Sequence, residues 1–281
     1  MTSGRNAHYR FFLGGYDLEM TAIRDLLARH APGAFCDRRL AWGARASAYR
    51  REIATALERG ETPVLIELAD DLGMAARGAI LLDHHQERAG ETAPTSLEQV
   101  FTLLGLDAVE WTRWHALVAA NDRGHIPELL ACGATSEELR RIREADRRAQ
   151  GITRREERQA TEAIRRACRF ADGRLTVVQI PHTRASAVCD LMHPALGGGG
   201  YEVLLVAGRT RRREPGELNG YGPGWVIQKL NQRFPGGWVG GALPKYGFWG
   251  RSAAALRPVE DYLKGLLHTE AGKPGFTETH R

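Results

Sequence analysis

Short apolar runs punctuate the first part of the chain: "YRFFLGG" (9–15), "AFCDRRL" (34–40), "TPVLIELA" (62–69) and "GAILLDHH" (78–85). The last two are apolar at successive positions rather than alternate ones, as strands buried on both faces of a parallel sheet are. Between the runs the period lengthens to that of a helix. "LEMTAIRDLLARH" follows the first run, and "ASAYRREIATALERG" follows the second, with Gly60 as its stop. Such alternation predicts an α/β fold, a parallel sheet with helices on both faces.

From about residue 96 to 170 the pattern is helical. "SLEQVFTLLG" has Ser96 placed as a cap and Glu98 in its first turn. "TSEELRRIREADRRAQ" (135–150) and "TRREERQATEAIRRACRFADG" (153–173) follow, with their charges mostly at surface spacing. Strands return with "RLTVVQIPH" (174–182) and "YEVLLVAGR" (201–209), separated by the helix-like "RASAVCDLMH". A glycine-dense stretch (215–250) precedes a last helix, "LRPVEDYLKGLL". The expected organisation is a parallel-sheet domain over 1–150, a helical connector over 151–172, and a smaller mixed α/β domain over 173–281.

Composition narrows the class without naming a chemistry. A length of 281 residues, 43% hydrophobic and 26% charged, suits a folded protein with one large or two modest cores. No apolar stretch reaches the ~18–20 residues of a membrane span. "MTSGRNAHYR" lacks the apolar centre of an export signal. Cys36, Cys132, Cys168 and Cys189 are widely spaced, which argues against disulfides and a thiolate zinc site and favours a reducing cytoplasm. The net charge of +5 is arginine-rich and compatible with a phosphate-bearing ligand, or equally with a basic solvated surface.

Ligands of open parallel sheets bind beyond the carboxyl ends of the strands. Reading those ends yields Asp17 and Glu19 in "GGYDLE", Asp70 and Asp71 in "LADD", and Asp83, His84 and His85 in "LLDHH". Past a helical stretch, "HALVAANDRGHIP" adds Asp122, with His125 nearby. Each has an ordinary reading alone: Asp17 as a helix cap, Asp70 or Asp71 as a turn residue, His125 as a loop residue. Together, that many carboxylates repel by several kcal/mol unless cations lie between them. Carboxylates with a few imidazoles suit Mn²⁺ or Mg²⁺, and two such ions can clamp a phosphoryl group and activate water.

In this ordered set the chain resembles the DHH phosphoesterase superfamily, which includes RecJ-type exonucleases, oligoribonucleases and cyclic-dinucleotide phosphodiesterases. "DHH" (83–85) follows an apolar strand. Asp17-Leu18-Glu19 stands for the family's D-x-D, Asp70 (with Asp71 beside it) for the acid after the preceding strand, and Asp122 for the isolated later aspartate. Residues 201–250 are similar in order to the family's C-terminal substrate-holding domain: "EVLLVAGRTR", "GWVIQKLNQRF", then "PGGWVGGALPKYGFWG". The resemblance implies that Asp17, Glu19, Asp70, Asp83, His84 and Asp122 hold Mn²⁺ or Mg²⁺, two ions in all, with Asp83, His84 and His85 as the catalytic triplet. It implies that Arg209, Arg211, Gly237, Gly240 and Gly241 hold the substrate, a short oligonucleotide or nucleotide phosphate ester. No membrane partner is expected, and a homodimer is compatible with it. Three positions depart from the family pattern. Leu13 replaces a histidine, Glu19 replaces an aspartate, and the histidine of the G-G-G-H turn is missing near Gly240, Gly241 and Ala242. These departures motivate an alternative, a nucleotide-binding protein of the same fold with impaired catalysis. A pyrophosphatase reading is weaker, because the C-terminal half lacks that branch's lysine-rich motif.

Overall fold

The computed structural model describes residues 8–84, 93–209, 216–241, 243–252 and 254–270. Two compact units divide the chain between Gly151 and Ile152.

The first unit is built on a four-stranded, wholly parallel sheet in the order β2-β1-β3-β4. Its strands are β1 (Tyr9–Leu13), β2 (Phe35–Cys36), β3 (Thr62–Ile66) and β4 (Ile80–Leu82). All are shorter than their apolar runs; β2 stops at Cys36 before Arg39 (φ 49°), and β3 stops at Ile66 before Glu67 (φ 51°). Successive side chains point to opposite faces. Phe12 and Leu65 pack with Tyr49, Ile53 and Ala56 from the 46–49 turn and helix α2 (Arg50–Glu58). Phe11, Leu13, Val64 and Ile66 are equally buried and point to the other face. The remaining helices of this unit are α1 (Leu18–His30), α3 (Ser96–Leu103), α4 (Arg113–Ala131) and α5 (Ser136–Ala149), and α1 packs against all three others.

Threonine starts each of the later helices. Thr95, Thr112 and Thr135 each accept a bond from the backbone N–H three residues on, while the side chain at that position (Glu98, His115, Glu138) bonds back. The α3 cap is thus Thr95 rather than Ser96. Helix α4 is kinked: Gly124 and His125 leave helical geometry, and Pro127 follows.

The second unit carries a mixed sheet in the order β5-β6-β7-β8-β10-β9, in which only β6 and β7 run parallel. Its strands are β5 (Cys168–Phe170), β6 (Leu175–Ile180), β7 (Val203–Gly208), β8 (Glu217–Pro223), β9 (Trp238–Gly240) and β10 (Tyr246–Ser252). Helix α6 (Arg154–Arg165) packs on β6 and on α7 (Ala185–Met192), and buried Ile152 and Ala160 share a core with Val178, Ile180 and Val188. Residues 152–172 thus pack within this unit, and Cys168–Phe170 among them form β5. Helices α8 (Gly224–Arg233) and α9 (Leu256–Glu270) contribute Ile227, Leu230, Leu263 and Leu267 to the core around Trp249. Among the described residues no helix is long and apolar enough to cross a membrane.

Candidate metal centre

The carboxyl ends of β1, β3 and β4 supply one side of a buried group, and α4 supplies the other. Asp17 leaves β1 as the N-cap of α1, where its Oδ1 accepts from Met20 N at 2.8 Å. Glu19 lies in the first turn of α1, fully buried, and its Oε1 accepts from Leu97 N at 2.8 Å. That N–H belongs to the first turn of α3, so Glu19 sits where a helix dipole favours negative charge. Glu67 is the first residue after β3. His84 lies two residues past β4, and Asp122 comes from α4 just before its kink.

One ligand atom each from Glu19, Glu67, His84 and Asp122 lies within 4.8 Å of the others. His84 Nε2 meets the Asp122 carboxylate directly and is 3.7 Å from Glu19 Oε2 and 3.8 Å from Glu67 Oε1. All four inward atoms are closed off from solvent. A close backbone approach makes this possible: a Cβ on Gly14 would stand 2.3 Å from Glu67 O, so the exits of β1 and β3 touch only because residue 14 is glycine.

Burial and mutual repulsion shift the titration of the whole group. Burial first, and Asp122 next, push Glu19 up from its usual 4.5 to about 7. Burial also holds Glu67 well above the carboxylate range, with Glu19, Asp17 and Asp122 adding to it. Asp17 is raised in the same way by burial and by Asp122, against the Met20 hydrogen bond. For His84 burial alone would favour the neutral ring, but Asp122 outweighs it and lifts the imidazole to about 9. Three carboxylates and one imidazole in a solvent-free space form a donor set that fits a hard divalent ion.

The sequence-based ligand set is only partly gathered. Glu19, His84 and Asp122 converge, and half-buried Asp17 lies within electrostatic reach of Asp122 and Glu19. Asp70 is elsewhere: its two oxygens accept from Met74 N at 2.7 Å and Ala75 N at 2.9 Å. Asp71 is likewise engaged, with Ser47 N at 2.9 Å. Asp70 thus caps the turn at 74–75 and Asp71 the turn at 46–49, while Glu67 is the acid after β3 that lies among the converging atoms. Asp83 is not among the converging atoms, although its charge helps raise His84. His85 and Arg211 lie outside the described residues. Leu13, where the family pattern has a histidine, is buried core.

Two more residues escaped the sequence reading. Glu67 is the first polar side chain after "PVLI", and measuring from the end of the apolar run would have found it ahead of the Asp-Asp pair. Arg143 of α5 is fully buried, donating to Asn121 Oδ1 at 2.6 Å and Asp146 Oδ2 at 2.9 Å. It shares a face with Leu139, Ile142 and Asp146, a spacing that marks it as inward. Through Asn121 it braces the α4 turn that carries Asp122.

The positions expected to hold substrate in the second unit have packing roles. A Cβ on Gly237 would stand 2.1 Å from Gly250 O, and one on Gly240 2.5 Å from the Phe248 ring; Gly241, at φ 96°, faces the Gly247 backbone. These glycines let β9 and the turn after it lie flat on β10. Trp249 is core, while Tyr246 is exposed. Arg209 is exposed beside a small cavity of about 50 Å³ lined also by Gln179, Gly208 and Leu256.

No family model matches the chain, and no curated protein matches it. Among solved structures it is similar to the pGpG-specific phosphodiesterase PggH from Vibrio cholerae, at 10% identity over 92% of this chain and 99% of that one, with a TM-score of 0.39. A Methanococcus jannaschii protein described as a family II inorganic pyrophosphatase aligns over 90% of each chain at 15% identity and a TM-score of 0.23. Likenesses of this size carry no weight for the activity, and what speaks for a function is the buried group of Glu19, Glu67, His84 and Asp122.

Proposed function

We propose that this protein is a divalent-metal-dependent phosphoesterase of the DHH type, acting on phosphodiesters of short oligonucleotides or nucleotides. The observation that carries the reading is the convergence of Glu19, Glu67, His84 and Asp122, donors drawn from positions 19 to 122, on one buried point. Four titratable groups in a space closed to solvent are costly to keep unless a cation binds there.

Glu19, Glu67, His84 and Asp122 would hold the ion, Mn²⁺ or Mg²⁺ by donor type. Such an ion supplies positive charge against a phosphoryl group and acidifies a water. The chain's own contribution is to keep those donors dry and oriented. Leu97 N–H fixes the Glu19 carboxylate, and the Arg143–Asn121 bond steadies the turn bearing Asp122. A second ion, implied by the resemblance, would draw on Asp17, Asp83 and His85.

The test is incubation of pure protein with Mn²⁺ and a short 5′-phosphorylated oligonucleotide. Mononucleotide release that disappears in both His84→Ala and Asp122→Ala is the expected result. Tight binding of the oligonucleotide and of Mn²⁺ without turnover would support the second reading, an impaired relative, which Leu13 in place of a histidine favours.

A further inference from the structure

Beyond the sheet, residues 37–45 ("DRRLAWGAR") form a strap across the exits of β1 and β3. Tyr16 N donates to Leu40 O at 2.9 Å, and Gly15 bridges Leu40 in parallel register. At the other end Arg45 bridges Ala69, and Ala69 N donates to Ala44 O at 2.9 Å. Both anchors lie close in sequence to acids of the site: Gly15 two residues before Asp17, and Ala69 two residues after Glu67 of the buried group. A Cβ on Gly15 would stand 2.9 Å from Trp42 Cα, so the backbone of Trp42 rests directly on the β1 exit.

The strap's side chains have a composition unlike an ordinary turn. Trp42 is 51% exposed, a high value for a large apolar side chain among the described residues. Arg39 and Arg45 lie three positions to either side of it in the sequence and are exposed as well. The Arg39 guanidinium lies 5.3 Å from the centre of the Tyr16 ring, and Arg24 donates to the Tyr16 hydroxyl at 3.2 Å. The acids nearby are engaged: Asp37 accepts from Arg39 N at 2.7 Å, and Asp71 holds Ser47 N while its charge meets Arg45. Arg38 differs from its neighbours, being paired with Glu52 and laid on Tyr49 as part of the framework. An exposed indole between arginines matches the chemistry of single-stranded nucleotides, in which a base stacks on an aromatic ring and phosphates meet guanidinium groups.

We infer that the strap is the base-recognition element of the first unit: Trp42 stacks a nucleobase while Arg39 and Arg45 take the adjoining phosphates. This rests on the phosphoesterase reading and sharpens it, because it makes the substrate a base-bearing phosphodiester and places a determinant of that choice on the unit that carries the acids.

The experiment measures binding of a 5′-phosphorylated dinucleotide by tryptophan fluorescence, with Ca²⁺ replacing Mn²⁺, for the wild type, Trp42→Ala, Trp42→Phe and Arg39→Ala. Stacking of ordinary strength predicts a Kd about tenfold higher for Trp42→Ala. Trp42→Phe should recover most of that loss, and Arg39→Ala should flatten the salt dependence. Circular dichroism and Mn²⁺ titration of each variant accompany the measurement. An unchanged Kd in a folded Trp42→Ala, or failure of the wild type to bind the dinucleotide, overturns the inference. Failure of the wild type to bind Mn²⁺ would instead remove the phosphoesterase reading, so the two are told apart.

Discussion

The two units crowd different things together. In the first, charge is crowded: Glu19, Glu67, His84 and Asp122 meet at one buried point, with Asp17 close enough to be raised by them. In the second, backbone is crowded: Gly237, Gly240 and Gly241 bring β9 and its turn against β10 with no room for a Cβ. Close backbone packing explains itself, since it buries area and pairs strands. Close packing of like charge does not, because the groups repel and shed their water. The glycines thus have a packing reason for their places, and the converging acids have none of that kind.

The contrast breaks most sharply at Arg143. Replacing it with leucine leaves Asp146 and Asn121 buried without their cation and should cost about 3–5 kcal/mol, read as a loss of thermal or urea stability. A loss below 1 kcal/mol would mean the helical layer behind Asp122 is not braced by charge. In the second unit, Gly237→Ala forces a methyl group against Gly250 O and should cost about 1–3 kcal/mol with Mn²⁺ affinity unaltered. Altered affinity would show that the glycine turn serves more than packing.

The smallest effect is with pH, and its sign follows from the shifts. Glu19 is raised from 4.5 to about 7, so its contribution to stability is full below 4.5 and lost as pH climbs through 7. His84, raised from 6.5 to about 9, contributes fully below 6.5 and loses that contribution through 9. The metal-free protein should thus weaken between these limits. Mn²⁺ needs ionised carboxylates and a neutral imidazole, so its stabilisation should grow over the same range. The Mn²⁺-induced rise in Tm should be greater by a few degrees at about pH 8.5 than at about pH 5.5. An equal rise would indicate that these groups are not the ligands.

How much of this was legible in the chain follows a physical divide. Periodicity marks β1, β3, β4 and the helices of the first unit, since each buries a face along its own length. It misses β8, whose "ELNGYGP" reads as a loop; Gly220 there leaves room for Leu230 and Trp249 against the sheet. It also misses β5, which continues a helical run and is held by pairing with β6. At the site, Glu19 and His84 were legible just past the ends of strands, and Asp122 as an acid in a helical stretch, although it lies within α4 rather than after a helix. Glu67 was not, because Asp70 and Asp71 looked the stronger pair, and only the turn at Glu67 shows which acid faces inward. Arg143 lay among many helical arginines, with the inward face of α5 as its one distinguishing mark.

The central claim is most directly tested by titrating Mn²⁺ into the wild type, Glu67→Gln and Asp70→Asn and reading affinity by calorimetry. The account predicts that Glu67→Gln loses more than the ~10–100-fold that removal of a supporting residue costs, while Asp70→Asn binds as the wild type does. Full affinity in Glu67→Gln, or abolished binding in Asp70→Asn, would contradict it.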